Sequence, residues 1–203
     1  MVVPDFSDPL VAAVQLGPMV DNMINERPVS VAELLAQADY AGAYWANLLA
    51  MNPATKPNSF ILLSVAYTIG QMVGMYFKDF FGVARPVHLI PTLVTSIPTP
   101  AHPSFPSNHS LQNHLVLQLL TAAMPDGEAG HLFPYMQLLT DRLARNREVA
   151  GVHFRADTDA GRDIAAWLWT RHLSLMPAVT DVINAAKSEW SDRVGVQELN
   201  IGT

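Results

Sequence analysis

FILLSVAYTIGQMVGMYF, residues Phe60 to Phe77, runs without a charge, and its reading decides the fold. The stretch is helical in pattern and borderline in length for crossing a membrane. Gln71 and several hydroxyls interrupt it. No comparable segment accompanies it: Leu115 to Met124 is too short to span, and Ile164 to Met176 is broken by Arg171 and His172. The reading that follows is a buried central helix in a soluble protein with no membrane span.

Working outward, the apolar pattern stays helical nearly everywhere. Ser30 to Glu33 reads S-x-x-E, a capping box opening an amphipathic run through Met51, which Asn52 and Pro53 stop. Asn58 or Ser59 starts the long apolar helix, and Gly82 breaks it. Between Pro86 and Pro106, prolines at 86, 91, 98, 100, 103 and 106 argue against helix and sheet alike. A loop this long in a compact chain is usually functional. Helix resumes after Ser107 to about Met124, and MPDGEAG reads as a turn. Further helices are expected from about His131 to Val149, from caps at Asp157 and Thr158 through about Leu175, and from about Ala178 to Trp190. The expected fold is all-α, a single helical bundle of about six to eight helices with a long Pro-rich active-site loop, residues 1–203 forming one domain.

The chain has 203 residues, half of them apolar, enough for one real core and short for two. A net charge of -6 disfavours a nucleic-acid partner. The absence of cysteine excludes disulfides and Cys-ligated zinc. The start, MVVPDFSDPL, lacks the basic and apolar regions of a signal peptide, so the expected location is periplasmic if a leader was removed and cytoplasmic otherwise. No histidine pair has H-E-x-x-H spacing, and no divalent metal is implied. All-round apolar helices suggest a homodimer.

Three polar clusters carry the chemistry. Lys78 closes the most apolar helix, and Arg85 follows seven residues later, before Pro86. Both could converge on one anion; Lys78 could equally snorkel to solvent. FPSNHS, Phe105 to Ser110, places Ser107, Asn108 and His109 at a loop-to-helix junction, which suits either an ordinary N-cap or an anion site. In NREVAGVHFRADTDAG, His153 and Asp157 are four apart, a spacing that lets a carboxylate hold an imidazole. Gly151 permits the chain to turn between Arg147 and His153. A capped helix with a merely packed histidine is the plainer alternative.

In order, the clusters read K-x6-R-P, P-S-N-H and R-x5-H-x3-D. The set resembles the signature shared by type 2 phosphatidic acid phosphatases, class A bacterial acid phosphatases and vanadium haloperoxidases: K-x6-R-P, P-S-G-H, S-R-x5-H-x3-D. Lys78, Arg85, Pro86, Pro106, Ser107, His109, Arg147, His153 and Asp157 match. Asn108 stands where that pattern has Gly, and Asn146 where it has Ser. In size the chain is similar to the class A acid phosphatases.

The resemblance implies a phosphatase hydrolysing phosphate monoesters of a small phosphorylated substrate, lipid or isoprenoid phosphates among the candidates. His153 would be the nucleophile and form a phosphohistidine, Asp157 would orient it, and His109 would protonate the leaving oxygen. Lys78, Arg85, Arg147, Ser107 and the Asn108 N–H would bind the phosphate oxygens. That reading needs no cofactor. The alternative is a vanadium haloperoxidase, with vanadate as cofactor and His153 as its ligand. A third is a non-catalytic oxyanion-binding protein, which Asn108 favours. Asn108 is expected to substitute for Gly by tolerating a positive φ.

Overall fold

The computed structural model describes residues 3–38 and 40–191. The chain runs through α1 (Pro9–Asp21), a π-helical turn (Asn22–Glu26), α2 (Arg27–Ala36), α3 (Gly42–Leu48), α4 (Pro57–Phe81), the single turn α5 (Pro86–Leu89), α6 (Asn108–Ala123), α7 (Asp126–Val149), α8 (Arg155–Arg171), a 3-10 turn (Leu173–Leu175) and α9 (Pro177–Ser191). The described residues contain no strand, and the all-α bundle expected from the sequence is what forms.

The centre of the bundle is α6, not α4. On α6, Leu111, Leu115, Val116, Leu119, Leu120 and Ala123 are all buried, and α4, α7, α8 and α9 pack around it. Helix α4 begins on Pro57, whose fixed φ suits a first helical position, and ends where Gly82 adopts φ 60 and returns its N–H to Lys78 O. Its inner stripe, Leu62, Leu63, Ala66, Gly70, Gly74 and Lys78, recurs every three or four residues and meets α6. Gly70 and Gly74 bring the two backbones close: a Cβ on Gly74 would lie 2.8 Å from Asn108 Cγ. The outer stripe, Ile61, Met72, Tyr76 and Phe80, is exposed.

This corrects the expectation of a soluble chain without a membrane span. The segment Pro57–Leu89, which is α4 with the short turn that follows it, is long and apolar enough to cross a membrane, and only 28% of its most apolar window is buried inside the protein. A uniformly apolar helix looks the same in sequence whether its outer face meets protein or lipid. Gln71, which argued for burial in a soluble core, spends its side-chain carbonyl on Asn108 Nδ2 at 2.8 Å.

Other boundaries shift for local reasons. Ser30 and Glu33 form no capping box: they lie inside α2, and Glu33 instead binds Gln37, Arg142 and Asn146. The expected long helix splits at Gln37 into α2 and α3. Helix α7 starts within the supposed turn, at Asp126, where Asp126 and Glu128 complement the helix dipole. Helix α8 is capped at Phe154, and Asp157 sits inside its first turn, where its carboxylate accepts the Phe154 N–H at 2.9 Å. Pro86 opens a short turn in the proline loop. At the other end of the bundle, Glu189 of α9 caps α4 by accepting the N–H groups of Asn58 and Ser59 at 2.6 and 2.9 Å.

Candidate active site

The C-terminal end of α4, the proline loop, the start of α6, the end of α7 and the start of α8 meet at one place. Gly151, at φ 85, makes the turn that returns the chain from α7 to α8, a conformation L side chains rarely adopt. Arg27 of α2 fastens that turn by donating to the carbonyls of Val149 and Val94.

His153 is 3% exposed and its Nδ1 lies 2.9 Å from Asp157 Oδ2. That same carboxylate oxygen accepts from Ser104 Oγ and from the Phe154 N–H. Three donors on one oxygen favour the carboxylate and place the imidazole hydrogen on Nδ1. Burial pushes Asp157 up to about 6, so it is ionised above that. Burial, and then the charges of Arg85, Lys78 and Arg147, hold His153 well below the ordinary histidine range. The outcome is a neutral imidazole whose lone pair sits on Nε2, where Arg85 NH1 approaches to 3.3 Å.

The charges of Lys78, Arg85 and Arg147 all act on His153, and backbone carbonyls are among the partners of each. Lys78, fully buried, donates to Pro103, Ser104 and Pro106 and so shapes the proline loop. Arg85 donates to the carbonyls of His102 at 3.0 Å, Val152 at 2.6 Å and Pro103 at 3.2 Å, and its NH2 lies 3.1 Å from His102 Nδ1. Arg147 reaches Ala38 O at 3.5 Å. Carbonyl oxygens thus offset the cost of burying cations. His109 places Nε2 3.0 Å from Gln37 O. Burial, then the charge of Arg147, lowers its pKa to about 3.

Ser107 is the N-cap of α6: its Oγ accepts the Ser110 N–H, and its own N–H donates to Asp157 O at 2.9 Å, joining α6 to α8. The N–H groups of Asn108 and His109 open the first turn, where a helix has no internal acceptors for them. The expectation of a positive φ at Asn108 is corrected: its backbone is helical, and only Ala50 among the described non-glycine residues has φ above zero. Its side chain turns to α4, against Gly74 and onto Gln71.

All eight sequence candidates therefore gather here, with Ser107 and Asn108 contributing through backbone and cap. Sequence reading missed Ser104 and the carbonyls of Gln37 and Ala38. His102, in the proline loop, lies on Arg85. His88 is exposed, and His114 faces away, its Nδ1 donating to Ser110 O at 2.7 Å.

No protein-family model matches the sequence, and no curated protein sequence matches it. Solved structures do. A transmembrane PAP2-type phosphatidylglycerolphosphate phosphatase from Bacillus subtilis aligns with TM-score 0.61 over 81% of this chain and 85% of that one, at 11% identity. LpxE from Aquifex aeolicus aligns with TM-score 0.58 over 81% of this chain and 94% of that one, at 24% identity. Short length therefore does not set this chain apart from a transmembrane relative, and the expected soluble location, cytoplasmic or periplasmic, is overturned together with the absence of a span. The chain has the fold of the type 2 phosphatidic acid phosphatase superfamily.

Proposed function

We propose that the protein is a membrane-associated phosphatase that hydrolyses phosphate monoesters, with a lipid or isoprenoid phosphate as substrate. One observation carries the reading: a neutral histidine, oriented by a buried carboxylate, turns its lone pair to Arg85 in a pocket where the charges of Lys78 and Arg147 also act on it. The fold neighbour named as a phosphatidylglycerolphosphate phosphatase and the exposed apolar face of α4 support the substrate class.

In this reading the phosphate oxygens replace carbonyls as partners of Arg85 and Arg147, while Lys78 keeps the loop in shape and adds its charge. Drawing Arg85 onto a phosphate oxygen frees His153 Nε2. Nε2 attacks phosphorus, the P–O bond to the alcohol breaks, and His109 relays to the departing oxygen the proton that the substrate brings as its monoanion. Asp157 stabilises the resulting imidazolium. Water then attacks phosphorus, its proton passes to His109, and the P–N bond breaks to restore His153. The charge that builds on the equatorial oxygens is met by donors already in place.

Vanadate fits the same cradle as a shape and charge analogue of phosphate, and His153 Nε2 would be its ligand in the haloperoxidase reading. No feature of the site favours that chemistry over hydrolysis. The non-catalytic reading rested on Asn108, whose side chain lies outside the cradle. The test is hydrolysis of para-nitrophenyl phosphate and a short-chain lipid phosphate by detergent-purified protein, with acid-quenched trapping of labelled phosphohistidine. Turnover without label at His153, or turnover that survives His153→Ala, sinks the mechanism.

A further inference from the structure

Asn146 departs from the family pattern, and its side chain has specific work in this structure. It is 6% exposed on α7. Its Nδ2 donates to Gln37 Oε1 at 2.7 Å and to Glu33 Oε1 at 3.0 Å. Gln37 is 1% exposed and donates its own Nε2 to Glu33 Oε1 at 2.7 Å. Arg142, one helical turn before Asn146, binds both oxygens of Glu33, its Nε at 2.6 Å. Two side chains on one face of α7 thus clamp the C-terminal end of α2. What the clamp holds in place is the Gln37 carbonyl, 3.0 Å from His109 Nε2.

A carbonyl only accepts hydrogen bonds, so His109 must carry hydrogen on Nε2. Its other nitrogen, Nδ1, is then the atom that gives and takes the catalytic proton. An imidazole whose second nitrogen is tied to a fixed acceptor has one tautomer and one ring orientation. We propose that Asn146 is a positioning residue: through Gln37 it locks His109 on the C-terminal end of α2 and selects Nδ1 as the proton-donating atom. This rests on the phosphatase reading above for its kinetic consequence, though not for its structural one.

The kinetic test compares Asn146→Ala with wild type on two substrates. An alkyl phosphate has a poor leaving group and needs the acid, whereas para-nitrophenolate leaves with little help. The variant is expected to lose at least about tenfold in kcat on the alkyl phosphate and less than about threefold on the nitrophenyl ester. Inhibition by vanadate, which reports the cradle, should be unchanged. Equal losses on both substrates, or vanadate inhibition weakening in step, would mean a general structural role and overturn the proposal. A second measurement stands apart from catalysis: nitrogen NMR of histidine-labelled protein, with His109→Gln used to assign the resonances. His109 should be protonated at Nε2 in wild type and show mixed tautomers in Asn146→Ala. The same single tautomer in both overturns the proposal even if the protein hydrolyses nothing, an outcome that would separately sink the phosphatase reading.

Discussion

Replacing Gly74 by Ala tests the packing that sets Asn108 apart from the catalytic groups. A Cβ at this position would lie 2.8 Å from Asn108 Cγ and closer still to Oδ1. Asn108 cannot swing aside freely, because it is 7% exposed and its Nδ2 is bonded to Gln71 at 2.8 Å. Overpacking of this kind costs about 2 kcal/mol, and breaking the Asn108–Gln71 bond adds about 1 kcal/mol. Alanine returns about 1 kcal/mol in helix propensity over glycine. The single variant should therefore lose about 2 kcal/mol. With Asn108→Gly in the background the clash disappears, and Gly74→Ala should gain about 1 kcal/mol from propensity alone. The coupling between the two sites is then about 3 kcal/mol, large for a pair in direct contact. Denaturation of the four proteins in one detergent measures it. A coupling near zero would show that the Asn108 side chain does not lie on α4, and would return it to the phosphate pocket as a blocking group.

Three further outcomes follow from the site. His153→Ala should reduce kcat by at least about 10⁴-fold, read by para-nitrophenyl phosphate turnover; a loss below tenfold would remove it from the chemistry. Because burial and Arg147 hold His109 at about 3, the free enzyme near neutrality carries a neutral imidazole, and the catalytic proton enters with the substrate as its monoanion. A phosphate monoester has its second pKa at about 6, and Asp157 is ionised only above about 6, so kcat/KM should peak near pH 6, falling on the acid side as Asp157 protonates and about tenfold per pH unit well above it as the substrate loses its proton; a flat profile to pH 8 contradicts this. The exposed face of α4 predicts that the chain stays with membranes through an alkaline wash and is released by detergent, and recovery in the aqueous fraction would overturn the membrane reading.

The fold class was legible because helical periodicity repeats along most of the chain and strand alternation does not. The motif positions were legible because their spacing survives even where two residues differ. The role of α4 was not. Its sequence is apolar on every side, and only Gly70 and Gly74 mark the inner face, by allowing close approach to Gln112 and Asn108. The S-x-x-E pattern at Ser30 misled because Glu33 is an acceptor for side chains from α7, a long-range use that no local pattern reveals. Gln37 and Ala38 could not be found at all: they act through backbone carbonyls, whose position depends on how α2 ends. Ser104 has a faint signal, a small hydroxyl among prolines, which becomes meaningful only when the loop folds onto Asp157.

The two departures from the family pattern bear on whether the site is active. A cradle drifting away from catalysis would be expected to lose charges or the His–Asp pair first, since burying them unpaired is costly once no anion repays it. Here the cations, both histidines and Asp157 are all present, and each departure comes with its own partners. Asn108 is matched by Gly74, which leaves it room, and by Gln71, which binds it. Asn146 is matched by Glu33 and Gln37. Both substituted side chains bond away from His153, one in the α4–α6 seam and one in the α2–α7 clamp. Such changes alter how the catalytic groups are held and leave their chemistry intact, so restoring the family residue at Asn108 alone should change kcat less than about threefold while lowering stability by roughly the one hydrogen bond it removes.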